Sequence, residues 1–332
     1  MERILVTGGA GYIGSHIVRR LVEARREVVV LDDLREGHRA AVGDVPFVEG
    51  DVGDAEVLDR VFGGGGIRFV VHMAASCLVG ESVEDPAKYY ENNLVSTLRL
   101  LHASRRHGVE GIVFSSTAAV YGEPIDVPIR EEHPCAPTNP YGETKLAVER
   151  VLAWFHRAYG LRYVALRYFN AAGAHPSGEI GEDHHPESHL IPKLLRSAAS
   201  GGEPTPLFGD DYPTSDGTCV RDYVHVVDLA EAHVLALDAM ARGAIAAESV
   251  NLGNGEGFSV REIVDAVGRV VGTKPPVEVA PRRAGDPAIL VASSDRARRR
   301  LGWDPQWSSV ESILETAWRW HRTHPRGYDD RP

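Results

Sequence analysis

The sequence predicts a doubly wound parallel α/β sheet followed by a smaller mixed α/β unit, and three observations carry that prediction. Nearly continuous apolar runs recur through the first half, "ILVT", "EVVVLDD", "RFVVHMAA", "GIVFSST" and "RYVALRYFN", the pattern of strands buried on both faces. Stretches of helical periodicity, notably 86–106 and 140–158, separate several of them. At 332 residues the chain exceeds the ~250–300 residues at which one core stops growing, so a second unit is expected. The expected division is 1–170 for the sheet-bearing unit, with a segment about 219–240 packing back onto it, and 171–332 for the second.

Taken in order, the first strand leads into "TGGAGYIGSHIVRRLV", where Ile13, Ile17 and Leu21 share a helix face. Gly8, Gly11 and Gly14 follow a strand and open a helix. That placement allows a tight turn, close backbone approach to a pyrophosphate and helix-on-sheet packing, a Rossmann-type dinucleotide turn. The next strand ends in Asp32, near the ~20-residue spacing at which a carboxylate accepts from a ribose 2′-hydroxyl and repels a 2′-phosphate. NAD is therefore expected over NADP, with Arg35 as the opposing signal. A third run, "VPFVEGD", ends at Asp51, and "GGGG" at 63–66 is a loop after a helix. Ligands on such sheets bind beyond the carboxyl ends of the strands. Those ends are Gly8, Asp32, Asp51, Ala74, Thr117 and Asn170.

A helix start is signalled at 140, with Asn139 as N-cap and Pro140 at the first helical position. Tyr141 and Lys145 then lie one above the other on the same face. A phenol with its ordinary pKa of about 10 is a poor base at neutral pH unless nearby positive charge stabilises the phenolate. The pair has the geometry of a tuned acid.

The formal charge of −11, with 43% hydrophobic and 25% charged residues, argues against nucleic-acid or anionic-membrane surfaces as partners. Cys77, Cys135 and Cys219 are odd in number and widely separated, so reduced thiols are expected. No apolar run approaches the ~18 residues of a membrane span and no cleavage pattern follows the start, so a cytoplasmic location is expected. His175, His184, His185 and His189, with Glu182 and Asp183, carry zinc-ligand chemistry, but their spacing matches no common zinc pattern, and no metal is expected. The tail "HRTHPRGYDDRP" is polar and is expected to fray.

The motifs "TGGAGYIG", "FSSTAAVYGEP", "NPYGETK" and "LRYFNAAGAHPSG" resemble the extended short-chain dehydrogenase/reductase superfamily, most closely its UDP-hexose 4-epimerases. The likeness continues through "HLIPKLL", "LFGDDYPTSDGTCVRDYVHVVDLAEAH", "NLGNG" and "RRAGDPAILVASSDRA", and so covers nearly the whole chain. It implies an NAD-dependent isomerase acting on a UDP-hexose. Tyr141 would be the general acid/base, Lys145 would hold the nicotinamide ribose and lower the tyrosine's pKa, and Thr117 would bond the reacting hydroxyl. It further implies cofactor contacts from Gly8, Gly11, Tyr12, Ile13, Gly14, Asp32, Asp51, Val52, Ala74, Asn93, Lys145 and Tyr168. Asn93 read as a helix-facing amide, and Tyr168 and Phe169 read as core aromatics, remain alternatives. For the UDP-sugar it implies Thr117, Tyr141, Asn170, His189, Leu190, Phe208, Arg221, Tyr223, Arg283, Asp286 and Leu290. Arginine suits phosphate because its planar fork binds oxygens in pairs.

Three positions depart from the family pattern. Cys77 stands where many epimerases place a lysine, and His189 where many relatives carry asparagine. Leu290 is a smaller pocket wall than the tyrosine of glucose/galactose-only enzymes, leaving room for a 2-acetamido group. A 4,6-dehydratase would need an acidic pair just after Thr117, and this chain has Ala118 and Ala119. A decarboxylase, a UDP-glucuronate 4-epimerase and a non-catalytic NAD-binding sensor stay open. The resemblance also implies a homodimer through helices bearing Leu94, Leu98, Leu101, Leu152 and Phe155, residues that core packing explains equally well.

Overall fold

The computed structural model describes residues 3–283 and 285–329. The chain begins β1 (Arg3–Thr7), α1 (Tyr12–Glu23), β2 (Glu27–Asp32), β3 (Phe47–Glu49), α2 (Ala55–Gly63) and β4 (Ile67–His72). Two short helices, α3 (Val79–Glu84) and α4 (Pro86–Tyr89), lead through a π-helical segment (Tyr90–Val95) into α5 (Ser96–Arg106). Then come β5 (Gly111–Thr117), α6 (Pro140–Tyr159), β6 (Arg162–Tyr168) and β7 (Asn170–Ala172). The remainder is α7 (Leu190–Ser200), β8 (Thr205–Phe208), β9 (Val220–Arg221), β10 (Tyr223–His225), α8 (Val226–Ala241), β11 (Ala247–Leu252), β12 (Phe258–Ser259), α9 (Val260–Val271), β13 (Val277–Ala280), β14 (Ile289–Leu290), α10 (Asp295–Leu301) and α11 (Val310–Thr323).

Seven strands form one sheet in the order β11-β6-β5-β4-β1-β2-β3, and every pairing in it is parallel. The apolar runs produce this because helices cover both faces: Val6, Val71 and Val164 point into one apolar cluster, Leu5, Val70 and Ala165 into the other. Strand order reverses between β1 and β4, so their connections leave in opposite directions and a crevice opens at their carboxyl ends.

Two segments return from the second half. Helix α8 packs on α1, β5 and β6, as expected for 219–240, and β11 adds a seventh strand with Val250 opposite Leu166. That strand lies beyond the expected returning segment, in sequence that alternates polar and apolar residues. Around the apolar cluster of Ile191, Leu194, Ile263, Val267, Ile313 and Leu314, helices α7, α9 and α11 build the second unit. Short strand pairs, β7 with β10 and β8 with β13, carry its loops.

The expected fraying of the tail is corrected over 324–329. Tyr328 is buried, its ring centroid lies 4.7 Å from that of Trp320, and its hydroxyl accepts from the Gly181 N–H at 3.1 Å. One aromatic anchor outweighs the polar composition around it. Residues 330–332 of that tail lie outside the described residues. Among the described residues, no helix is long and apolar enough to cross a membrane.

Candidate active site

The glycine turn shows a division of labour. A Cβ on Gly8 would lie 2.4 Å from the Ala74 nitrogen, and one on Gly14 would lie 2.0 Å from the Gly8 carbonyl oxygen, whereas one on Gly11 meets nothing nearer than 3.5 Å. The first and third glycines therefore serve the fold, and the second leaves space in front of the helix. Gly11 is also the N-cap of α1, with no side-chain cap and no acid in the first turn, so the N–H groups of the turn through Tyr12, Ile13 and Gly14 remain available to an anion. The crevice in front is lined by Gly8, Gly11, Asp32, Val52, Ala74 and Ser76, among others. Asp32 sits at its edge, its two oxygens accepting from the Ala10 and Leu34 N–H groups at 2.9 Å each. Burial raises its carboxyl pKa, against those two bonds. Arg35, the opposing signal for a 2′-phosphate, is held by Asp33 at 2.6 Å and Asp51 at 3.0 Å. These features fit a dinucleotide with a free ribose 2′-hydroxyl.

Lys88 and Asn92 also line the crevice and escaped the sequence reading, because only the helix after β4 brings them there. Lys88 brings a cation to the region where Cys77 lacks one, although Glu81 pairs with it at 2.5 Å. Asn93 is buried with its amide engaged: it accepts from the Ser76 N–H at 2.9 Å and donates to the Ser76 carbonyl at 3.0 Å and to Thr144 at 3.3 Å. It ties the β4 loop to α6. Tyr168 points into the core, with its hydroxyl 2.5 Å from His233 Nε2. Both side chains are thus engaged within the protein.

Helix α6 starts as its capping residues dictate, with Asn139 Oδ1 accepting from the Gly142 N–H at 2.9 Å and Pro140 in the first turn. Tyr141 and Lys145 project from it toward the end of β5. Lys145 Nζ is buried and donates to the Ser115 carbonyl at 2.8 Å. Burial lowers its pKa to about 8. Thr117 ends β5, where its hydroxyl accepts from the Ala119 N–H at 3.1 Å and meets the Tyr141 phenol. Burial, and behind it the Cys77 thiol, hold the Tyr141 proton more firmly than in water, with Thr117 acting the other way. In the protein alone, desolvation of the phenolate is the largest influence on this proton.

Thr117 faces Tyr168 across the β5–β6 register, two residues before Asn170. Asn170 lines a second cleft together with His189, Leu190, Phe208, Arg221, Tyr223, Arg283 and Asp286. All eight were singled out from sequence. Arg221 is buried and pairs with Asp286 at 2.6 Å, and the Arg283 guanidinium stacks 4.0 Å from the Phe208 ring centroid. Lys193, inside the "HLIPKLL" stretch but not singled out from it, and Ser188 join the lining. Leu290 pairs in register with Arg221 and packs beside the Val120, Tyr121 and Leu146 cluster. Among the histidines and acids of 175–189, Glu182, His184, Glu187 and His189 bring ligand-type atoms within 4.8 Å of one another. His175 lies apart, bonded to Ser177 at 2.8 Å.

The model of the NAD dependent epimerase/dehydratase family matches residues 4–253. The chain belongs to that family. It is 55% identical over 325 residues to a UDP-glucose 4-epimerase of Halalkalibacterium halodurans, covering 98% of this chain and 97% of that one. A crystal structure of a UDP-glucose 4-epimerase superposes with a TM-score of 0.96 at 52% identity, covering 99% of this chain and 100% of the other. Another, from Bifidobacterium longum in complex with NAD+ and UDP, superposes with a TM-score of 0.94 at 39% identity, over 98% and 100% of the two chains. The cofactor of this family member is NAD.

Two predictions follow from this geometry. Gly11→Ala should keep its stability within about 1 kcal/mol, the scale of an N-cap exchange, yet lose bound NAD, whereas Gly14→Ala should fail in both; urea denaturation and NAD extraction separate the cases. Lys145 has a folded pKa of about 8, below its unfolded value, so the NAD-free fold carries a penalty below that pH that lifts as pH rises toward 10.5. Lys145→Met should therefore raise stability at pH 7 by on the order of 3 kcal/mol while abolishing turnover, as urea melts of the NAD-free protein across pH will show.

Proposed function

We infer that the chain is an isomerase that interconverts UDP-galactose and UDP-glucose by inverting C4 through a 4-keto sugar, with NAD retained. The observation that carries this is the convergence of Tyr141, Lys145 and Thr117 at the end of β5, between the dinucleotide crevice and a cleft lined by arginines and aromatics. NAD supplies the site with a hydride acceptor that returns the same hydride, so no external redox partner is consumed. Tyr141 takes the O4 proton, and Thr117 holds that hydroxyl in line. Lys145 places its charge beneath the phenol, its Nζ lying 5.8 Å from the Tyr141 ring centroid, and a positively charged nicotinamide ring adds to it. The second cleft anchors UDP, with Phe208 and Arg283 against the base and Arg221 toward the diphosphate. The hexose is left loosely held so that its opposite face can meet the hydride.

A 4,6-dehydratase lacks support, because Ala118 and Ala119 form a 3₁₀ turn after Thr117 and offer no acid or base for elimination. We take 1–170 with the returning α8 and β11 as the NAD-binding unit and the remainder as the UDP-sugar unit. For a homodimer the face shifts from the one expected, since Leu101 and Leu152 are buried in the core with Leu94 and Phe155 packed against them, while α6 leaves Trp154 at 64% and Tyr159 at 49% exposed.

Purified protein given UDP-galactose and no added NAD should form UDP-glucose, and Tyr141→Phe should lower the rate by about 10²–10⁴-fold; an inactive wild type would refute the reading. With leucine at 290, UDP-GlcNAc should turn over within about a hundredfold of UDP-glucose, and Leu290→Tyr should remove the N-acetylated activity first. Sedimentation equilibrium should give twice the 36.2 kDa chain mass, and a monomeric mass would reject the dimer.

A further inference from the structure

The second cleft holds one cation whose charge is not its own to decide. His189 immediately precedes α7, occupies its N-cap position and makes no side-chain cap bond. Its Nδ1 lies 2.8 Å from Glu182 Oε1 and 3.4 Å from Glu187 Oε1. The two carboxylate side chains are 5% and 7% exposed, whereas the imidazole is 46% exposed. The ring therefore has its acids on the Nδ1 side, and His189 lines the cleft together with Asn170, Lys193 and Arg283. The charge count gives this ring a task. Arg221 is matched by Asp286 at 2.6 Å, so a diphosphate meets less net positive charge than two arginines suggest, and the uncapped start of α7 adds a favourable dipole beside His189.

We propose that Glu182 is a positioning residue that holds His189 as an imidazolium, with Nε2–H donated to the diphosphate of the UDP-sugar. This rests on the epimerase reading and deepens it. A carboxylate behind an imidazole fixes which nitrogen faces outward and favours the charged form. Burial alone would lower the His189 pKa, but Glu182 foremost, then Glu187, hold it well above the ordinary value. Burial would likewise raise Glu182, yet His189 and His184 draw its carboxyl below the usual range. The other charged or titratable groups facing the pair come from several elements, among them His16 from α1 and His321 from α11, both set against Glu182. His184 Nδ1 stands 3.4 Å from Glu182, Arg196 lies 3.6 Å from Asp183 and 3.9 Å from Glu187, and Cys77 faces His189 from the β4 loop. Tyr12 packs from α1 edge-on to His184 at 6.2 Å between ring centroids, and Lys193 follows one turn along α7.

The test is calorimetric binding of UDP-glucose, whose diphosphate keeps its charge over the range, to the NAD-containing protein from pH 6 to pH 9 with a chelator present. Wild type should bind with nearly constant affinity from pH 6 to 8. Glu182→Gln should bind about tenfold more weakly at pH 8, the loss expected for one charge-assisted contact, and should recover toward wild type at pH 6, where the imidazole, with Glu187 still 3.4 Å away, takes up its proton. His189→Asn should bind weakly with no pH dependence across the range, and it carries the test alone if Glu182→Gln does not fold. A Glu182→Gln profile that follows wild type, or is equally weak at both pH values, overturns the proposal, as does a His189→Asn protein that binds UDP-glucose as tightly as wild type from pH 6 to 8. Restoration of affinity by added zinc overturns it in favour of a metal. A wild type that binds no UDP-glucose at any pH brings down the functional reading itself.

Discussion

A buried ammonium is the constraint on which the rest of this structure depends. Lys145 holds its charge in a dry position with the Ser115 carbonyl as its hydrogen-bond partner, an arrangement that costs stability and that a carboxylate one helical turn away would ordinarily cancel. Glu149 is that carboxylate by sequence, four residues on along α6. It is fully engaged elsewhere, by Arg167 at 2.6 and 3.0 Å, Ser116 at 2.5 Å and Ser249 at 2.9 Å. The Arg167–Glu149 pair is buried on both sides, and such pairs are seldom strong sources of stability. Here it takes a counter-charge away from Lys145, and it joins α6 to β5, β6 and β11 at the same time.

The same economy appears in the helix after β4. Its π-helical segment, Tyr90–Val95, adds a residue to the turn, the kind of local widening that recurs at functional sites. Asn92 reaches the crevice from it, while Asn93 turns inward to fasten Ser76 to Thr144. The loop carrying the cofactor crevice and the helix carrying Tyr141 are thereby locked to one another. Tyr12 does the equivalent for the second unit, since its hydroxyl donates to the Gly173 carbonyl at 2.6 Å. The relative placement of the cofactor crevice, Tyr141 and the second cleft is held by these polar ties rather than by the apolar cores alone, and in a catalytic site a small misplacement is costly to rate.

Much of this was legible in the residues themselves. The glycine turn, Asp32, the start of α6 and the Tyr141–Lys145 pair announce themselves because their conformations are local: spacing along a strand–turn–helix unit determines what they face. The residues of the second cleft were legible through resemblance, their motifs being scattered over more than a hundred positions, with no local period to join them. Other features left no mark. Lys88 and Asn92 look like any polar helix residues, Tyr168 like a site aromatic until its hydroxyl meets His233, and the tail like a frayed end until Tyr328 meets Trp320.

By itself, then, the sequence determined the class of sheet, the dinucleotide turn and the shared helix face of Tyr141 and Lys145, because each rests on short-range backbone geometry. Tertiary structure alone decided the charge states. Whether Tyr141 holds its proton, whether Lys145 stays unpaired and which acid stands behind His189 all depend on burial and on partners distant along the chain or across a loop. Desolvation and Coulomb terms act through space, and no spacing rule reports them.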